Sequence, residues 1–421
     1  MHIKTMGFER GMKMAVLTES TRDVIRSTAP FLEQEGERIT TLFYQRMFQD
    51  HPELLNIFNQ TNQKKGMQPK ALAGTLYAAA VNIDNLENLL PAIRQIAHKH
   101  RSLNVKPEHY PIVGEYLLAA LKEVLGDHPD TDTIIEAWGE AYGVIADVFI
   151  ETEERMYEEA EEKPGGWRGF REFTVVKKVQ ESSVITSFYL KPSDGGALPP
   201  FEPGQYISVQ VIPDPESPAH MRQYSLSDSP EKPWYRISVK REEAHSGHDG
   251  GVVSNYLHEN ISEGDTLNLT APAGDFTITQ DSERPLVLIA GGVGLTPLVS
   301  MLNHSVAAAP GRPVTFITAA KSGDVHAMDE HLRSTEQNCE FVKYAVCYEN
   351  PSEEDRKHPN LAKTGLIDEE CLSDLPGGEE AEYYFCGPVP FMGAVSRILK
   401  NRGIPEERKH YEFFGPAQNM N

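Results

Sequence analysis

Leu90-Pro91-Ala92-Ile93-Arg94-Gln95-Ile96-Ala97-His98-Lys99-His100 decides how the first third of this chain is read. At about 100° per residue, Ile93, Ile96 and Ala97 fall within roughly 60° of His100 on a helical wheel. That histidine therefore points with the apolar stripe. His98 stands about 200° away and is expected to face solvent. Two readings of His100 follow: a hydrogen-bonded histidine of an ordinary core, or an axial ligand to a haem iron. The spacing alone does not choose between them.

The helical texture extends outward from about Thr18 to Tyr157, with apolar residues three and four apart. Pro30, Pro52, Pro69, Pro91, Pro107 and Pro111 punctuate it at intervals suited to helix starts. Glu158-Glu159-Ala160-Glu161-Glu162-Lys163-Pro164-Gly165-Gly166 is a charged run ending in breakers and reads as a linker. Beyond Trp167, the β-rich runs Phe173–Val179, Val184–Leu190, Tyr206–Ile212 and Tyr235–Arg241 suggest an antiparallel barrel. From Pro285 onward Leu286–Ala290, Val314–Thr318, Phe341–Val346 and Tyr383–Cys386 alternate with helical segments, the rhythm of a covered parallel sheet. The expected organisation is all-α at 14–157, linker at 158–166, β-barrel at 167–278 and α/β at 279–421. Residues 1–13 would be an extension if Met14 is the natural start.

Three units suit 421 residues at roughly 150 residues per domain. A formal charge of −22 repels phosphate backbones and anionic lipid, which argues against nucleic-acid or stable membrane partners. Met1-His2-Ile3-Lys4 opens no apolar signal-peptide core. Pro285–Gly311 carries no formal charge, but Gly291, Gly292, Gly294 and Pro297 break it into strand, loop and helix. Cys339, Cys347, Cys371 and Cys386 form no CxxC pair, so a reducing, cytoplasmic setting is expected.

Motifs in the second and third units carry the chemistry. Arg222-Gln223-Tyr224-Ser225 stands between Pro203-Gly204-Gln205-Tyr206 and Gly251-Val252-Val253-Ser254-Asn255-Tyr256-Leu257-His258, a set that resembles the FAD domain of the ferredoxin-reductase superfamily. Arg222 would neutralise the diphosphate, Tyr224 (with Tyr206 nearby) would offer a ring face, and Ser225 would hydrogen-bond the flavin edge. Val253 and Ser254 would open a helix whose free N–H groups face the diphosphate. Gly291-Gly292-Val293-Gly294-Leu295-Thr296-Pro297 follows a strand and precedes a helix, as a nicotinamide-dinucleotide loop requires, with the Thr296 hydroxyl as an added contact. Cys386-Gly387-Pro388 and Glu412-Phe413-Phe414-Gly415-Pro416 end the later strands. Lys321 and Ser322 leave the choice between NADH and NADPH open. The loop Ala244–Gly250, with His245, His248 and Asp249, reads as an exposed insertion rather than a metal site.

Phe43-Tyr44-Gln45-Arg46-Met47-Phe48, His51-Pro52-Glu53-Leu54, the His100 segment and Lys106-Pro107-Glu108-His109-Tyr110 add to these motifs in collinear order. Together they resemble the flavohaemoglobin family over nearly the whole chain from about Leu17. The resemblance implies a globin domain followed by FAD and NAD(P) domains, carrying haem b, FAD and NADH or NADPH. It implies His100 as the iron ligand, with Tyr110 and Glu153 around its imidazole. Tyr44, Gln68 and Leu72 would lie on the opposite, distal side, with Phe58 against the porphyrin. Phe414 would stack over the flavin, with Glu412 close to it, and Cys386 would lie near the hydride path. Pro69 departs from comfort: if the distal helix starts there, Gln68 sits at its cap. The implied activity is nitric oxide dioxygenation, with O2 and NO as small-molecule partners; the sequence leaves the oligomeric state open, a monomer being one option. The alternatives are a haem-based gas sensor, or an NAD(P)H-dependent flavin reductase for ferric iron, quinone or peroxide.

Overall fold

The computed structural model of the chain describes residues 17–58, 63, 66–214, 216–244, 250–279, 282–373 and 380–415. The proposed start at Met14 and the residues before it lie outside these. The chain divides into two compact units: residues to Glu159 with Asp214–Ala219, and the remainder from Ala160.

The first unit is helical: α1 (Glu19–Ser27), α2 (Ala29–Asp50), α3 (Met67–Val81), α4 (Leu90–Ser102), α5 (His109–Leu125) and α6 (Thr131–Glu162). Pro30 and Pro91 occupy the second helical position of α2 and α4, and Pro69 and Pro111 the third. A first-turn N–H has no intrahelical partner, so proline sacrifices nothing there. Ile25, Ile39, Phe43, Met47 and Trp138 form the centre of the core, and Trp138 Nε1–H donates to Thr28 Oγ1 at 3.2 Å. The acidic run Glu158–Glu162 is not linker but the last turns of α6. Glutamate is a good helix former, and the chain breaks only where Pro164 and the glycines arrive.

In the second unit β1 (Phe170–Gln180), β2 (Ile185–Pro192), β3 (Tyr206–Val211), β4 (His220–Ser225), β5 (Tyr235–Lys240) and β6 (Thr266–Thr270) form an antiparallel sheet ordered β4-β3-β6-β1-β2-β5. A bridge between Leu226 and Ile237 brings the end of β4 beside β5, so the sheet nearly closes on itself. Helix α7 (Val252–Asn260) accompanies it. A parallel sheet follows, ordered β10-β9-β8-β7-β11-β12: β7 (Leu286–Gly291), β8 (Val314–Ala320), β9 (Val342–Tyr348), β10 (Leu361–Thr364), β11 (Glu382–Cys386) and β12 (Lys409–Glu412). Helices α8 (Leu295–Ala308), α9 (Asp329–Asn338), α10 (Glu369–Ser373) and α11 (Val389–Asn401) connect its strands. The uncharged Pro285–Gly311 stretch is thus β7, a tight turn and α8. Among the described residues, no helix is long and apolar enough to cross a membrane.

One buried network braces this sheet and makes it acid-sensitive. His326 is 5% exposed, with Nδ1 2.8 Å from the Tyr348 hydroxyl and Nε2 3.0 Å from that of Tyr344. Tyr344 spends its proton on Asp329 Oδ1 at 3.0 Å. His326 Nε2 must therefore donate to Tyr344 while Nδ1 accepts from Tyr348, a pattern that a neutral ring completes. Burial pushes the imidazole down from its ordinary value to about 4. The unfolded chain then binds the extra proton first, so this stability is intact above pH ~6.5 and drains away as pH falls toward 4. The expected loss is on the order of 3 kcal/mol, read as a falling urea midpoint across that window. A His326→Asn variant should show a flatter slope.

Candidate functional site

Helix α4 delivers His100 in its last turn, where the N–H groups of Leu103 and Val105 both donate to its carbonyl at 3.0 Å. The Tyr157 hydroxyl donates to Val105 O at 2.9 Å, which pins the chain just after the helix. His100 Nδ1 lies 2.7 Å from Glu153 Oε1 and 3.2 Å from the Tyr110 hydroxyl. Tyr110 donates to that same carboxylate oxygen at 2.7 Å. Glu153 is only 3% exposed. A carboxylate only accepts, so it places the imidazole proton on Nδ1 and leaves the Nε2 lone pair for a ligand. Burial first, and then the Glu153 charge, hold the Tyr110 phenol far above its ordinary value, so it stays a donor. The His100 side chain remains 33% exposed. An oriented, partly exposed imidazole whose Nε2 carries the lone pair fits a haem iron.

His98 departs from expectation. It is half-buried rather than turned to solvent, and burial with Arg101 and Arg94 nearby pushes it down to about 3. The helical wheel gives an azimuth, not the neighbours that cover it.

On α2 the Tyr44 ring is 7% exposed. Its centroid lies 4.6 Å from Phe43, 5.7 Å from Phe48 and 5.7 Å edge-on from Phe58. Burial holds its phenol above the usual range, while the nearby Gln68 and Gln63 amides oppose that rise. Pro69 falls within the first turn of the helix that carries Gln68. Helix α3 starts at Met67 after a left-handed Gly66, which makes Gln68 the second helical residue. Thr40 Oγ1 ties the Pro69 carbonyl to α2 at 2.8 Å. Gln68 Oε1 and Gln63 Nε2 are buried without a protein partner. Both belong to amides at Tyr44, so the site has polar capacity left over for a small guest. Leu72 packs half-buried against the same core. Gln63 has no signature in the sequence; only its placement over Tyr44 identifies it.

The flavin motif forms β4, whose polar Arg222-Gln223-Tyr224 concealed it as a strand. Strand β3 pairs with it so that Tyr206 opposes Ser225 and Val209 opposes Arg222. Arg222 and Tyr224, two apart, share a face. Arg222, Gln223, Tyr224 and Tyr206 are half-buried, while Ser225 is buried. Burial holds the Tyr224 phenol up and the Arg222 guanidinium below its ordinary value, still a cation. Val253 and Ser254 are the second and third residues of α7. Ser254 Oγ donates to Gly251 O at 3.1 Å and accepts from Glu242 N at 3.3 Å. Its hydroxyl braces the loop, which leaves the helix N–H groups as what a diphosphate would meet. Tyrosine faces, a cation and a helix start fit FAD. Of the inserted loop, His245–Asp249 lie outside the described residues.

Strands β7 and β11 are parallel neighbours, and the strand order reverses between them. Dinucleotides bind beyond the carboxyl ends of strands at such a reversal. Gly291–Gly294 and Cys386–Pro388 lie there. A Cβ on Gly294 would fall 2.2 Å from the Cys386 carbonyl oxygen and 2.7 Å from Gly387 N. Glycine is what lets these two strand ends meet. Gly292 and Val293 are half-exposed, whereas Leu295, Thr296 and Pro297 are buried and shape the turn. The Thr296 hydroxyl, expected on the dinucleotide, donates instead to Val293 O at 3.1 Å. Cys386 is fully buried, and burial, with Glu412 nearby, keeps its thiol protonated. Glu412 pairs with Cys386 across β11 and β12. Phe413 packs against the core behind them, Phe414 is 49% exposed and Gly415 is half-buried. Pro416 lies outside the described residues.

The globin family model matches residues 41–149, and the oxidoreductase NAD-binding domain model matches 288–397. The flavohemoprotein of Halalkalibacterium halodurans is 58% identical over 96% of this chain and 98% of its own length. That of Bacillus subtilis is 52% identical over 96% and 99%. The crystal structure of a flavohemoglobin from Malassezia yamatoensis, with bound FAD and heme, is 28% identical. It superposes with a TM-score of 0.82 over 95% of this chain and 100% of its own. The FAD/NAD-binding domain of a nitric oxide dioxygenase from Vibrio cholerae is 38% identical, with a TM-score of 0.53 over 59% of this chain and 100% of its own.

Proposed function

Because the chain belongs to the flavohaemoprotein family, NAD(P)H-dependent oxidoreductases that carry haem and FAD, we propose that it is a cytosolic nitric oxide dioxygenase. The balanced reaction is 2 NO + 2 O2 + NAD(P)H → 2 nitrate + NAD(P)+ + H+. The observation that carries this reading is the His100–Glu153–Tyr110 network, a buried carboxylate on the imidazole that would favour electron donation to an iron-bound ligand. When bound, haem supplies the iron at which O2 and NO meet, and FAD converts a two-electron hydride donor into a one-electron source.

The chain's own residues do the rest. His100 Nε2 would hold the iron while Glu153 keeps the proton on Nδ1, which would raise the electron donation of the ring. Tyr110 keeps Glu153 in register by sharing its oxygen. On the distal side the Tyr44 hydroxyl donates to a small oxygen acceptor, and Gln68 orients that hydroxyl. Phe58 and Leu72 keep the surroundings apolar, so the hydrogen bond is not diluted by water. Arg222 and the α7 N–H groups would bind the FAD diphosphate, and Ser225 would meet the flavin edge. The turn at Gly291–Gly294 seats the nicotinamide dinucleotide, with the neutral Cys386 as wall rather than nucleophile. The exposed Phe414 ring would offer a face to the flavin.

The deciding experiment measures nitrate formed per NADH by the loaded protein in air. Two nitrates per NADH, with collapse of the rate on removing O2, is the expected result. NADH oxidation indifferent to NO, yielding superoxide or peroxide, would sink the reading and leave a reductase carrying a globin. Tyr44→Phe removes one hydrogen bond to the guest, worth about tenfold in rate. Its O2 dissociation should quicken, while NADH–cytochrome c reduction stays unchanged.

A further inference from the structure

We propose that Cys347 and Cys371 form a redox-active dithiol that closes into a disulfide on meeting a hydroperoxide. Cys347 is the penultimate residue of β9, and Cys371 is the third residue of α10. Their sulfur atoms stand 2.7 Å apart across 24 positions of sequence. A covalent S–S bond is about 2.05 Å, so closure needs well under 1 Å of movement. Ordinary packing does not call for this contact; the other two cysteines, Cys339 and Cys386, have no sulfur partner.

The pair is asymmetric in the way a reactive and a resolving thiol must be. Cys371 is half-buried at the edge of the fold, whereas Cys347 is 1% exposed beneath it. The Cys347 thiol hydrogen-bonds to Cys371, favouring thiolate on the outer sulfur and holding the inner one protonated. The Lys363 ammonium nearby adds to the first effect, although Asp368 opposes it. The backbone is already committed here: Cys371 N–H donates to Asp368 Oδ1 at 3.1 Å, and Lys363 pairs with Asp368. A thiolate that is both reachable and backed by a second sulfur is the arrangement of a reversible sensor rather than of an inert core cysteine.

The chemistry balances with hydrogen peroxide as the oxidant. The Cys371 thiolate attacks one peroxide oxygen; the O–O bond breaks, hydroxide leaves, and sulfur becomes sulfenic acid, oxidised by two electrons. The Cys347 sulfur then attacks Cys371, the S–S bond forms, the S–O bond breaks, and water departs with the Cys347 proton. An external dithiol then reduces the disulfide to the two thiols and is itself oxidised to a disulfide. The bond would staple α10 to β9 and enclose β10, the edge strand of the parallel sheet, within the closed loop. This site is independent of the haem and flavin chemistry.

The test uses the full-length, haem- and FAD-loaded protein. It is exposed to hydrogen peroxide at a dose that oxidises glutathione in the same tube, denatured, alkylated with N-ethylmaleimide and mapped by mass spectrometry without reductant. Alkylatable thiols are expected to fall from four to two, with a cross-linked peptide joining Cys347 to Cys371. Dithiothreitol should restore all four. Cys371→Ser should abolish the cross-link, and Cys339→Ser should leave it intact. The proposal is overturned if wild-type protein keeps all four thiols alkylatable. It also fails if Cys371 accumulates as sulfinic acid beside an alkylated Cys347, or if Cys339 or Cys386 supplies the bridging sulfur.

Discussion

A His100→Ala variant is expected to lose most of its haem and at least about 100-fold of its nitrate-forming rate. Its NADH–cytochrome c reduction should stay within about twofold of wild type, since the hydride route uses residues of the other unit. Two physical effects combine. The Nε2 ligand disappears, and Glu153 Oε1, 3% exposed, keeps only the Tyr110 hydroxyl as donor. A buried carboxylate stripped of a partner costs more than the usual 1–3 kcal/mol of an orphaned polar group, so thermal stability should fall too. Haem content from the Soret absorbance, NO consumption and cytochrome c reduction, measured on one preparation, separate these effects. Adding imidazole to the variant should recover part of the haem signal. Nitric oxide turnover that survives the loss of His100 would falsify the assignment of this histidine as the iron ligand.

The second large effect is expected from Gly294→Ala. The added methyl would lie 2.2 Å from the Cys386 carbonyl oxygen and 2.4 Å from its carbon. Both are backbone atoms of a fully buried parallel strand, so no flexible side chain can swing aside. The strand ends of β7 and β11 must part, at a cost of about 1–3 kcal/mol. That movement opens the seat of the nicotinamide dinucleotide. Flavin reduction by NADH in stopped flow should slow by about 100-fold, and cytochrome c reduction with it. FAD content should persist, because Arg222, Tyr224 and Ser225 lie on β4 and not in the turn. Gly292 is the built-in control. It has a left-handed φ of +54° but nothing within 4 Å of a Cβ, so Gly292→Asn should retain most of the activity. Equal damage from both substitutions would mean that loop conformation, not close approach, sets dinucleotide binding.

Periodicity made much of the fold legible before any coordinates. The apolar stripe of Ile93, Ile96, Ala97 and His100 is local, and so are the β-branched runs that became β1, β2, β7 and β8. Burial of one face leaves its signature at a fixed spacing, whichever neighbour does the burying. The order of three textures and the glycine-rich turn between a strand and a helix are likewise properties of the chain read along its length. The motifs that mark haem, FAD and dinucleotide positions belong to this class.

Other features depended on elements far apart in sequence, and no local pattern encodes them. β4 was hidden because Arg222, Gln223 and Tyr224 are polar, and ladder pairing with β3 is what makes them a strand. His98 faces away from the apolar stripe yet is covered, because what overlies a helix is settled by its neighbours. Gln63 and Gln68 acquire meaning from Tyr44 on another helix, and the Thr296 hydroxyl is spent inside its own turn. Cys347 and Cys371, 24 positions apart, become a pair only when α10 settles on β9. Local propensity and spacing act through bonds a few residues long and can be read from the chain. Contacts across long loops are bought with packing energy summed over the whole core, and their partners are known only once the core has formed.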